Sequence, residues 1–221
     1  MKTVRLILAL SLLSVNSINA QTLNWASLQK QHRHIANINI GLEYGVTVGI
    51  TYGYQLKTSL PVVIAAEYSM PSGKTISDDF KTKIGGQIRW VRVNDFNLST
   101  RIQGVFRRFE NNYVTLANFG TDVSGVIGYY KPKWFLAGET GFDKAIVTHF
   151  KHTELMNENF AAKNGWYVPA TGGNFYYGMQ AGFSWRSHDL SLKVGKVISQ
   201  DFRTKPLLPF YAQIGYSLKM K

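Results

Sequence analysis

The histidines and carboxylates of the 139–152 stretch are the first residues whose types could do chemistry. His149 and His152 follow Glu139 and Asp143, and a histidine held by a carboxylate can activate a serine for acyl transfer or lipid hydrolysis. Ser124 and Ser184 are the serines that adjoining strands could bring to them. No hydrolase motif surrounds these residues, and a histidine without an oriented partner has no catalytic role, so no catalytic residue is assigned. As metal ligands the two histidines are a poor pair, because strand alternation turns His149 inward and His152 outward or into a loop. His32 and His34 flank Arg33 and fall on one face of an extended segment. Asp78-Asp79 is an acidic pair of the kind that meets hard cations. Both read as solvated stretches, so no metal and no cofactor is implied.

A second set of residues is charged and recurs at every other position: Glu67, Lys81, Lys83, Arg89, Arg101, Arg107, Asp122, Glu139, Asp143 and Lys193. Facing one another inside a tube, they could form a charged constriction or a site for an anionic solute. Hairpin register sets Glu67 nearly opposite Lys83, brings Arg107 close to Asp122, and brings Asp122 close to Asp143. Because opposite signs are interleaved, filling of a narrow interior by paired charges is the favoured reading.

The elements that must position these residues are strands. From Ile38 onward the hydrophobic period is two. Ile38, Ile40, Leu42, Tyr44, Val46, Val48, Ile50, Tyr52 and Tyr54 share one face, with Asn37, Asn39, Gly41, Glu43, Thr47 and Thr51 on the other. The alternation returns at 62–69, 80–90, 96–107 and roughly 117–130, 134–150, 174–185, 190–200 and 208–220. Connections alternate between short (57–59, 94–95, 131–133, 186–189) and long (71–79, 110–116, 151–173, 201–206). Short turns at one end and long loops at the other are the arrangement of an outer-membrane barrel. Nine runs are visible, and splitting the first at Glu43-Tyr44-Gly45, with Gly45 in the left-handed conformation of a three-residue hairpin, makes ten. The fold class is all-β, an up-and-down antiparallel transmembrane β-barrel of about ten strands, with eight or twelve as alternatives.

Aromatic residues on the apolar face gather at both ends. Tyr54, Trp90, Phe96, Tyr129, Trp134 and Trp185 lie beside the short turns; Tyr68, Phe80, Phe106, Phe119, Phe150, Phe175 and Phe210 lie near the long loops. Two such girdles mark the two interfaces of a lipid bilayer. Met1–Ala20 reads as a signal peptide cut near Ala20, with Lys2 and Arg5 before an apolar stretch too short to span a bilayer as a helix. Residues 21–34 are a non-barrel segment that either tucks into the lumen or hangs in the periplasm, and 35–221 form the barrel domain. The 221 residues contain no cysteine and carry a formal charge of +12. Removing Lys2 and Arg5 leaves about +10, which suits anionic outer-membrane lipid and lipopolysaccharide phosphates. Nucleic acid is excluded as a partner by export and by the lack of any basic run.

The stretches 78–87, 103–111, 128–152, 172–185 and 208–219 resemble small outer-membrane β-barrel proteins of Bacteroidota-type bacteria. The resemblance implies location and fold and brings no activity with it. One departure is the C-terminal Tyr216-Ser217-Leu218-Lys219-Met220-Lys221, where such barrels commonly end in an aromatic residue. The reading that follows is a non-enzymatic outer-membrane barrel with a largely filled lumen and loops that meet envelope or external partners. A narrow channel for small or anionic solutes and a lipid-modifying enzyme are the alternatives. The 151–173 loop, with Trp166 and Tyr167, is the candidate surface for a protein or small-solute partner.

Overall fold

The computed structural model describes residues 22–72, 78–154, 156, 163–168 and 172–221. The signal peptide expected at Met1–Ala20 lies outside the described residues. Strict alternation, with polar or small residues on one face and branched or aromatic residues on the other, folds into long antiparallel strands. These are β1 (His34–Leu42), β2 (Val46–Gln55), β3 (Val62–Pro71), β4 (Asp79–Val93), β5 (Phe96–Glu110), β6 (Val114–Tyr130), β7 (Trp134–His152), β8 (Gly165–Tyr167), β9 (Gly173–Trp185), β10 (His188–Ser199) and β11 (Phe210–Met220). From β2 to β11 each strand except β8 pairs with the next along the chain, and β1 pairs with β11 from His34↔Met220 to Leu42↔Ala212. With β1 and β2 side by side across their hairpin, the sheet closes into a ten-strand up-and-down barrel. β8 is an extra strand on the upper part of β7.

The hairpin at 43–45 is present, and the Glu43 amide donates to the Gly45 carbonyl. Its conformation differs from the expectation, since Gly45 is not in the left-handed region. That region is used by Asn94 (φ 55) and Arg186 (φ 53), each the first residue of a two-residue turn at the opposite end of the barrel. Tyr44, expected on the outward face, instead turns over the barrel mouth, where its hydroxyl donates to the Ser69 carbonyl at 3.2 Å. The expected long connection at 110–116 is also shorter. The Asn111 side chain accepts the amides of Tyr113 and Val114, an Asx-type turn that closes the hairpin at 111–113.

The outside of the barrel is apolar through its middle. Each of the ten ring strands contributes an exposed side chain there: Ile38, Ile50, Ile64, Ile84, Ile102, Ile127, Leu136, Met179, Leu192 and Ile214. A continuous band of this kind far exceeds the apolar patches that water-soluble monomers leave uncovered, and it is the surface of a barrel that stands in lipid. Aromatic rings edge the band. Tyr68, Phe80, Phe106 and Phe119 follow one another around the long-loop end at centroid spacings of 5.5, 5.8 and 4.9 Å, with Phe175 and Phe210 exposed further round. Phe96, Tyr129 and Trp134 run similarly round the short-turn end. There Trp90 is exposed, Tyr54 meets His34, and Trp185 stacks with His188.

One local irregularity overturns three side-chain directions. Between Phe119/Gly120 and Val147/Ala145 the register of β6 and β7 shifts by one residue, leaving Ile146 unpaired as a β-bulge. Beyond it every side chain of β7 changes face. Phe150 pairs with Leu116 on the inward face, so it does not belong to the girdle. His149, expected inward, pairs with outward Ala117 and packs on Trp166 at 4.8 Å, while His152 falls on the inward face with Phe150.

Candidate functional site

The lumen is divided by the first described residues of the chain. Residues 22–33 turn back inside the short-turn end, and Thr22, Leu23, Asn24, Trp25 and Ser27 are buried. The lining there is apolar: Leu23 and Trp25 pack with Ile35, Val63, Val126, Tyr130, Phe135 and Ala137, and Tyr130 stacks on Phe135 at 5.4 Å. Polar anchors fix the segment. The Asn24 amide donates to the Ser184 hydroxyl at 2.8 Å and to the Lys131 carbonyl at 3.0 Å. Lys219 Nζ lies 2.8 Å from Asp189 and donates to Ser27 Oγ at 2.6 Å, with both charged side chains almost wholly enclosed. The Arg33 amide donates to Met220 and its carbonyl accepts from Gln55, which ties the segment to strands on either side of it. His32 is buried at this end while His34 faces outward against Tyr52, so the two do not share a face as the spacing had implied. Desolvation, helped by the charge of Lys219, lowers the His32 imidazole below its ordinary range.

Above this seal lies an ionic floor. Inward glycines make space for two tyrosines: a Cβ at Gly141 would run into the ring of Tyr176, and Cβ atoms at Gly178 and Gly195 would run into Tyr211. The phenols use that space to reach carboxylates, Tyr176 donating to Asp122 and Tyr211 to Glu139, both at 2.6 Å. Glu139 also accepts from Gln180 at 2.5 Å and pairs with Lys193 at 2.8 Å. Lys193 in turn sits over the Tyr176 and Tyr211 rings at 5.6 and 5.1 Å.

Above the floor, toward the long loops, is a polar cavity of about 390 Å³. Glu67, Lys81, Lys83, Arg101, Arg107, Asp122, Asp143 and Lys193 all line it, together with Glu43, Tyr44, Tyr176 and Tyr211. Pro206, Leu207 and Leu208 of the β10–β11 connection contribute part of its rim. Glu139 lies beneath it, and Arg89 lies outside it, over the Trp25 ring at 5.6 Å in the sealed half. Glu67 is directly opposite Lys83, and Asp122 opposite Asp143. Arg107 is not beside Asp122. The shorter 111–113 turn sets it against Asn118, and it forms a two-point pair with Asp79 at 3.0 and 2.7 Å, which separates the Asp78-Asp79 couple. Asp122 instead faces Gln103 and meets Lys83 at 3.5 Å.

Glu43 completes the site and was not singled out from the sequence. From the β1–β2 hairpin its carboxylate drops into the mouth to meet Lys81 at 2.8 Å and Lys83 at 3.0 Å. Burial alone would raise this carboxyl, but the two ammonium charges overcome that and hold it well below the usual carboxylate range. Tyr44 beside it lies over the Arg107 guanidinium at 4.2 Å, and burial pushes its phenol up. The legible signal for Glu43 was its inward parity at the end of a run of inward Asn and Gly. Tyr176 and Tyr211 were legible as large side chains in phase with inward glycines.

The candidates for acyl-transfer chemistry do not come together: Asp143, Glu139, Ser124 and Ser184 are on the inner face, whereas His149 is on the outer one and His152, though inward, lies nine residues along β7 from Asp143 and meets Asn164. The long loop carries β8, which pairs Thr148↔Tyr167, His149↔Trp166 and Phe150↔Gly165, and its Trp166 packs outward on Phe119 at 6.2 Å.

No protein-family model matches the chain, and no curated protein does. Among solved structures it is similar to a KdgM porin, with 9% identity over 85% of this chain and 99% of that one and a TM-score of 0.42. It is also similar to the outer membrane enzyme PagL, with 10% identity over 85% and 99% and a TM-score of 0.37. One neighbour is a porin and the other an enzyme, and no residue role is carried over from either.

Proposed function

We propose that this chain is a non-enzymatic outer-membrane barrel, closed to passage at its periplasmic end and open as a polar vestibule toward the outside. The observation that carries this reading is the buried 22–33 segment, which fills the lower lumen with apolar side chains and a buried ion pair. A route for solutes would have to displace Trp25, Leu23 and the Lys219–Asp189 pair together. The separation of both histidines from the inward carboxylates, His149 on the outer face and His152 at the far end of β7 against Asn164, supports the non-enzymatic reading. The wider setting belongs to the same proposal: export on Met1–Ala20 with cleavage near Ala20, and a basic mature chain against lipopolysaccharide phosphates. Kinship with the small barrels of Bacteroidota-type bacteria and a partner at the 151–173 loop complete it.

Planar-bilayer recording tests the closed state. The intact mature chain is expected to give no steady conductance, and deletion of residues 22–31 is expected to produce one. A large, stable conductance from the intact chain would sink the proposal. Altered lipid A or phospholipid mass spectra on expression of the protein would sink its non-enzymatic part.

A further inference from the structure

Most charges around the vestibule neutralise one another. The lining lysines and Arg107 each meet a carboxylate: Lys81 and Lys83 meet Glu43, Lys193 meets Glu139, and Arg107 meets Asp79. Three lining groups differ. Arg101, Glu67 and Asp143 enter no ion pair among the described residues. Arg101 makes one long contact, from its guanidinium to the Tyr176 hydroxyl at 3.5 Å, and its buried Nε has no hydrogen-bond partner. A guanidinium has five donors in a planar fork suited to a carboxylate, so most of the donor capacity of Arg101 is unspent. Asp143 has the side chain of Asn174 as its neutral partner. Enclosed, incompletely met charges are costly unless a complementary group arrives.

We infer that the vestibule binds a small zwitterion, a short peptide or free amino acid, whose carboxylate meets Arg101 and whose ammonium meets Asp143, with Glu67 adding to the negative side. The inference rests on the reading of the upper lumen as an outward-facing vestibule. Arg101 on β5 and Asp143 on β7 are separated by one strand, and Arg101 is level with Gly141, two residues before Asp143, so their backbones stand about 12 Å apart at the usual strand spacing and rise. An extended dipeptide spans about 7 Å, which matches the gap once both side chains lean inward. The 390 Å³ cavity lies in the range of small-ligand sites. A purely anionic ligand would leave Asp143 and Glu67 unmet and facing a like charge, and a purely cationic one would do the same to Arg101. A ligand carrying both signs satisfies all three groups.

Isothermal titration of the refolded mature chain with four probes tests this: dialanine, N-acetyl-dialanine, dialanine amide and alanine. Saturable dialanine binding is expected, at least about tenfold weaker when either terminus is capped. Arg101→Gln should erase the preference for dialanine over its amide, and Asp143→Asn the preference over the N-acetyl form, each with the β-sheet circular dichroism of the parent. Alanine binding as well as dialanine would assign the site to single amino acids, and weaker binding would assign it to peptides. Capped probes binding as tightly as dialanine, or no saturable binding of any probe, overturns the inference. The capped-probe comparison uses the parent chain, so it stands even where a variant does not fold. A failure here with a silent bilayer leaves the closed barrel intact, whereas conductance from the intact chain removes the closed barrel itself.

Discussion

The lower and upper halves of the lumen are walled by the same ten strands, yet they solve the interior in opposite ways. The lower half takes in a piece of its own chain and becomes a small protein core, with Trp25, Phe135 and Tyr130 in contact and an enclosed ion pair, Lys219–Asp189. In the upper half, among the described residues, the hairpin pair Glu43 and Tyr44 and the rim at 206–208 lean in, and a charged cavity remains. A ten-strand wall does not by itself decide whether a lumen is filled, because a filler must be supplied. Here the filler reaches only halfway, and the Tyr176 and Tyr211 floor marks where it stops.

The contrast can be broken most forcefully from below. Lys219→Met strands Asp189 as a lone enclosed charge and is expected to cost roughly 3–5 kcal/mol in urea unfolding of the lipid-reconstituted barrel. Adding Asp189→Leu to that variant should recover most of the loss; no recovery would mean that the pair is not the anchor it is taken to be. The floor is the next test. Gly141→Ala drives a methyl into Tyr176 and Ser124 and is expected to cost about 1–3 kcal/mol. The outward control Gly125→Ala meets nothing and should stay within about 0.5 kcal/mol of the parent.

Acid should then separate the two halves gently and in a fixed order. His32 is lowered in the folded chain, so its contribution is present above its ordinary value of about 6.5 and is lost as pH falls through the lower folded value. Glu43 is also lowered, but from a carboxylate's starting point, so its contribution is present above about 4.3 and is lost only well below that. Hydrogen exchange should accordingly show the 22–33 amides loosening at mildly acid pH while those of the 43–45 hairpin remain protected. The reverse order would contradict the assignment of these two groups to the two ends.

The period-two pattern made the ring of strands and the inward charges readable, because alternation is a local property of the chain. Glu67 opposite Lys83 and Asp122 opposite Asp143 followed from turn positions alone. What was not readable depended on single residues whose effect is non-local. Asn111 tightened one hairpin and moved Arg107 from Asp122 to Asp79. The unpaired Ile146 reversed His149, Phe150 and His152. Placement of 22–33 was undecidable from the pattern, since the segment has no alternation and its partners, Ser184, Asp189 and Lys219, lie more than 150 residues away.

The seam between β1 and β11 has a consequence for how the molecule is made. Its first and last strands are each other's neighbours, and the residues just before β1 are clasped by Lys219 and Met220 of β11. Contacts of such long sequence separation are the slow ones in folding. The final zipping of the cylinder and the corking of its base therefore belong to one late event. A chain whose leading segment is still outside when the last strand arrives lacks the Ser27 and Arg33 contacts that hold Lys219 and Met220.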